Sequence, residues 1–154
     1  MFDEIQFECA TRLRRHPYLA SLDIITEDKG DVDTQIEQQL ANLGIAITVL
    51  TVSANCESPD AEPIFFNEIG VVVEVVEFVM MNRGEGGSMK PIGKVCEAVM
   101  QALHMWTPDG ADNTYTLSEK AMYPVTPPEP ATAARHIEFT TTGELPVMRE
   151  KPIT

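Results

Sequence analysis

The sequence predicts an α+β fold: a mixed, mainly antiparallel β-sheet with helices packed on one face. Two stretches lead there. Ile69 to Met81, IGVVVEVVEFVMM, places β-branched and aromatic residues on both alternating sets, the pattern of a central strand covered on both faces. Ser88 to Trp106 is the strongest helical pattern, because Met89, Ile92, Cys96, Val99, Leu103 and Trp106 recur at steps of three and four. Its outward stripe is Lys90, Lys94, Glu97, Gln101 and His104, so the apolar stripe is free to pack on the sheet.

Two carboxylates interrupt the central strand. Glu74 falls on the face of Val72, Val76, Phe78 and Met80, and Glu77 on that of Val73, Val75 and Val79. Neither acid can sit deep in a monomeric core without a partner or water. Either the strand runs past the core into solvent, or another subunit meets it.

The remaining elements follow in order. Phe2 to Arg15 carries Phe2, Ile5, Cys9 and Leu13 at helical spacing, with Asp3 and Glu4 near its start, Arg12, Arg14 and Arg15 near its end, and Pro17 to stop it. Ser21 to Thr26 predicts a short strand, and the polar run around Gly30 a turn. Asp33 to Leu43 predicts a second helix ended by Gly44, and Ile45 to Ser53 a largely buried strand. Ala54 to Asn67, with Pro59 and Pro63, predicts a long connection. After the central strand, Asn82 to Gly87 predicts a flexible turn, with Ser88 as N-cap of the helix and Pro91 tolerated in its first turn. Tyr115 to Met122 predicts a further strand that Pro124, Pro127, Pro128 and Pro130 do not continue. Arg135 to Thr142 predicts a strand with one face toward solvent or a partner. The whole, residues 1–154, is expected to be a single domain with an extended C-terminal tail from about residue 143.

The balance of 24 acidic against 11 basic residues, a net charge of -13, disfavours a broad electrostatic surface for nucleic acid or anionic membranes. The longest apolar run is broken by Glu74 and Glu77, so no membrane span is expected, and the acidic, amphipathic N-terminus does not read as a signal peptide. Cys9, Cys56 and Cys96 show no metal-ligand spacing and no disulfide framework, which suits a reducing compartment. His16, His104 and His136 form no local constellation with the cysteines or acids, and surface or capping roles are expected for all three. The glycines after Asn82 lack Walker spacing, and no zinc motif, nucleophile elbow or dinucleotide fingerprint is present. No catalytic, cofactor-binding or metal residue is therefore expected.

Three stretches carry a resemblance. They are Gly44-Ile45-Ala46-Ile47-Thr48-Val49, then Val73-Glu74-Val75-Val76-Glu77 leading to Asn82-Arg83, and Ala102-Leu103-His104-Met105-Trp106-Thr107-Pro108. With the order of elements, they resemble the tail terminator or tail-completion proteins of long-tailed bacteriophages and prophages over roughly residues 36–108. The family often has a short polar segment, frequently Asn-Pro, where this chain has Phe78 and Val79. The resemblance implies a structural virion protein, not an enzyme, assembled as a homo-oligomeric ring, commonly a hexamer. Such a ring caps the tail tube at its head-proximal end and presents a surface to head-tail connector proteins. It assembles in the host cytoplasm, lets DNA pass without specific binding, and uses no cofactor and no membrane. The partner-interface residues it implies are Glu74, Glu77, Asn82, Arg83 and Glu85, with the turn Asn82 to Gly87 and the loop Ala54 to Asn67 as contact elements. Two other readings stay open: another head-tail connector component, stopper or adaptor, and a small cytoplasmic enzyme.

Overall fold

A computed structural model describes residues 1–56, 63–107, 116–127, 130–145 and 148. Helix α1 (Phe2–Arg15) forms over the predicted span, with Ile5, Cys9 and Leu13 buried on one side. Its end is closed locally: the His16 amide donates to the Leu13 carbonyl, and the His16 ring accepts the Tyr18 amide at 3.1 Å. Strand β1 (Ile24–Ile25) is tied back to α1, because Arg14 Nη2 donates to the Ile24 carbonyl at 3.1 Å.

Helix α2 (Val32–Asn42) starts at Asp31, whose carboxylate accepts the Asp33 amide and the Thr34 hydroxyl. It ends at Gly44, where φ is +77° and an added Cβ would lie 2.1 Å from the Asn82 nitrogen. Glycine is needed there both for the left-handed backbone and for the close approach.

A 3-10 turn (Glu27–Lys29) between β1 and α2, strands β2 (Ile45–Cys56) and β3 (Ile64–Phe78), short helix α3 (Val79–Asn82), helix α4 (Ile92–Leu103), and strands β4 (Ser118–Val125) and β5 (Thr132–Leu145) complete the described elements. They build a five-stranded sheet in the order β1-β2-β3-β5-β4, with β1 parallel to β2 and every other pairing antiparallel. The fold is α+β, with a mixed, mainly antiparallel sheet. Its larger core lies between one sheet face and helices α1 and α4, where Ile47, Val49, Val73, Val75, Ile137 and Phe139 meet Cys9, Leu13, Val99 and Leu103. The alternate side chains Ile25, Ala46, Val76 and Ala134 pack with Ile36 and Leu40 of α2 in a smaller cluster, so α2 covers one end of the opposite face.

Several boundaries differ from the sequence reading. The central strand stops at Phe78, where Val79 opens a helical turn instead of extending to Met81. It begins at Ile64 instead of Ile69. Residues 54–56 and 64–67 of the expected loop are therefore strand ends, with Asn55 opposite Glu68 and Cys56 opposite Phe66. Cross-strand pairing overrides the polar composition that suggested a loop. Residues 57–62, including Pro59, fall outside the described part.

Helix α4 is shorter than Ser88 to Trp106. Pro91 is its N-cap, and the Ser88 hydroxyl is used elsewhere. Strand β4 continues through Pro124, which an edge strand tolerates because one side of its backbone needs no ladder donor. Strand β5 runs to Leu145, so residues 143–145, expected as tail, pair with Ile64, Phe65 and Phe66. Tyr115, Pro128, Pro146 and Pro152 fall outside the described residues.

Candidate functional site

Glu77 is 1% exposed, on the sheet face that packs against α1 and α4. Immediately after it, α3 reverses the chain and brings the next two polar side chains back onto its carboxylate. Asn82, itself buried, donates from Nδ2 to Glu77 Oε2 and to the Lys90 carbonyl at 2.8 Å, while its Oδ1 accepts the Ser88 hydroxyl. Arg83 forks onto both oxygens, with Nε 3.3 Å from Oε2 and Nη2 3.4 Å from Oε1. About half of the Arg83 side chain stays exposed.

This arrangement corrects the expectation that Glu77 requires solvent or another subunit. Its own chain supplies an amide and a guanidinium, which satisfy the acceptors of the buried carboxylate. The same hydrogen bonds lock the glycine-rich turn. Backbone bonds from Phe78 N to Gly44 O, Ser88 N to Leu43 O, and Met89 N to Asn82 O fix residues 82–89 against the start of β2. Gly87 passes so close that a Cβ there would lie 2.0 Å from the Met81 carbonyl oxygen. The turn predicted as flexible is therefore tied down at both ends, and Glu85 is exposed at its tip.

Glu74 lies on the other face. It pairs across the ladder with His136, Nε2 to Oε2 at 2.7 Å, both side chains being half-buried. Beside them the Tyr123 hydroxyl donates to Glu138 at 2.5 Å, and the Tyr123 and His136 rings stand 5.9 Å apart. The hydrogen bond to Glu138 pushes the Tyr123 phenol above its ordinary pKa. His136 thus has a carboxylate partner 62 positions away in sequence. Only the strand register brings the two together.

The other nucleophile and base candidates are separated from this row. His16 caps α1 and contacts Gln101 at 3.0 Å, and His104 is exposed at the end of α4. Burial, with a smaller contribution from Glu8, raises the Cys9 thiol to about 12, and burial raises Cys96 to about 11. Neither is poised as a thiolate nucleophile. Cys56 is exposed on the sheet extension. Among the described residues, no group of three or more His, Cys, Asp or Glu is placed to hold a metal, and no helix is long and apolar enough to cross a membrane.

The sheet edges differ sharply. Beyond Ile47 and Thr48, which pair with β1, the outer edge of β2 has no neighbouring strand among the described residues. From Leu50 to Cys56 this edge reads LTVSANC, with no charge and no proline, and Val52 is 55% exposed. Phe65, on the adjacent strand, is 40% exposed. The opposite edge, β4, carries Glu119, Lys120 and Pro124, residues that discourage further pairing. The β2 edge was missed in sequence because its alternation was read as ending at Ser53. The apolar and hydroxyl residues continuing to Cys56 were the available signal.

No family model matches the chain, and no curated protein matches its sequence.

Proposed function

We propose that this chain is a structural subunit of a phage or prophage tail. In this reading, copies assemble as a ring, commonly six, that caps the tail tube and offers the head-side connector a joining surface. The observation that carries self-assembly is the unguarded β2 edge. Seven residues from Leu50 to Cys56, roughly 23 Å of strand at ~3.3 Å per residue, have no neighbouring strand on their outer side among the described residues, and no charge or proline to repel another chain. Another polypeptide completes such an edge by hydrogen bonding along it.

The step from self-assembly to a tail ring rests on the resemblance over residues 36–108. In that reading Glu77 and Asn82 act inside the subunit. They hold the turn after β3 in one shape, so that the outer side of Arg83 and the tip at Glu85 meet a neighbour in fixed positions. Glu74, held by His136, stiffens the sheet in the same way. The product is a shape, and no cofactor is required. A net charge of -13 suits a bore through which DNA slides without adhering.

Mass-spectrometric detection in isolated, head-free tails tests the assignment. The protein is expected in those tails at their head-proximal end. Finding it only with heads would overturn the terminator role in favour of a stopper or adaptor. Absence from both particles would overturn the virion assignment.

A further inference from the structure

We infer that a basic groove between α1 and α4 receives the acidic N-terminal face of α1 from a second copy of the chain. The inference rests on the self-assembly reading and names one of its contact surfaces.

The groove is lined by Arg12, Arg15 and His16 from the end of α1 and by Gln101 of α4, and it continues along α4 to Lys94. Arg12 is held in place by its Nε donating to the Ala102 carbonyl at 3.1 Å and by stacking over Trp106 at 5.6 Å. Lys90 adds a further cation beside the groove, 4.7 Å from the Tyr18 ring. Arg15 and Lys94 join no carboxylate in an ion pair among the described residues. In a chain with 24 acids and 11 bases, this concentration of positive charge is a local reversal of the overall field.

The opposite end of α1 carries the complement. Asp3, Glu4 and Asp28 surround a hollow of about 280 Å³ that Phe7 also lines, and Phe7 is 59% exposed. An aromatic ringed by acids has the layout of a contact patch, with an apolar centre and a charged rim. Glu4 and Arg15 stand on the same outward strip of α1, eleven residues apart, which is about 16 Å along a helix rising ~1.5 Å per residue. One rigid helix cannot bring its own ends together, so these two patches can meet only between copies. Two arrangements join them, an antiparallel pair of α1 helices that uses both patches at once and a head-to-tail contact that repeats from copy to copy; in the ring reading the contact is the head-to-tail one. Nucleic acid fits the groove less well. The cations are few, and Glu97 lies among them.

The test uses the full chain. One variant reverses the groove (Arg15→Glu with Lys94→Glu), a second reverses the hollow (Asp3→Lys with Glu4→Lys), and circular dichroism checks that both fold. A third, Phe7→Ser, leaves the charges of α1 untouched should the second destabilise that helix. Association is read by native mass and sedimentation. Each variant alone is expected to associate about tenfold more weakly or worse. An equimolar mixture of the two reversed variants is expected to regain assembly, since each then meets an opposite patch. Raising salt from about 0.05 M to about 0.5 M should weaken the wild-type contact. If folded variants associate as the wild type does, or the mixture fails to recover, this contact is wrong while the ring survives. A wild type that never associates would instead reject the ring itself.

Discussion

Desolvating a carboxylate costs several kcal/mol, and Glu77 meets that cost with hydrogen bonds from residues five and six positions later. Asn82 is the more important partner because it is fully buried and bridges Glu77, Ser88 and the Lys90 carbonyl. Asn82→Ala is expected to destabilise the fold by about 3 kcal/mol in urea unfolding. Arg83→Ala should cost about 1 kcal/mol or less, since half of its side chain is already in water. Equal costs for the two would refute this ranking. Gly44→Ala combines positive φ with a clash against the Asn82 backbone, and a loss of about 3 kcal/mol or more is expected from the same measurement. At Tyr123 the sign is fixed by the hydrogen bond to Glu138. Because the folded phenol titrates above its ordinary value, this bond contributes stability below that value and loses it as pH rises through the raised one. Spectrophotometric titration of Glu138→Gln should therefore show one tyrosine ionising at lower pH than in the wild type.

Among the elements, those set by local chemistry were readable in advance. Helix α1 was legible to the residue because charge bias, apolar spacing and Pro17 agree on its limits. Helix α2 was placed within one residue at each end, and its cap at Asp31 is testable: Asp31→Ala should cost about 1 kcal/mol by thermal unfolding. Elements whose limits depend on distant partners were not. The ends of β2, β3 and β5 pair with one another, so the composition of residues 54–67 and 143–145 resembled loop and tail. The candidate site divides in the same way. Glu77, Asn82 and Arg83 lie close in sequence and could be nominated together, although their mutual satisfaction needed the reversal at α3. The Glu74–His136 pair depended on register and could not be foreseen. The open edge of β2 carries its own prediction. Val52→Lys should leave monomer stability within about 0.5 kcal/mol while suppressing assembly.

For the whole molecule, the proposed self-assembly rests on a sheet with one guarded and, among the described residues, one unguarded edge, and on one helix with acidic and basic ends. The fold class was legible because both periodicities are strong, whereas the proposed assembly depends on surfaces that appear only once strands pair and helices dock. The most direct measurement of this claim is the native mass of the purified chain over a range of concentrations, alone and with tail tubes added. The expected result is a closed multiple of the 17.0 kDa subunit, centred on six copies, that binds tube ends. A 17.0 kDa monomer at every concentration, indifferent to tubes, would contradict it.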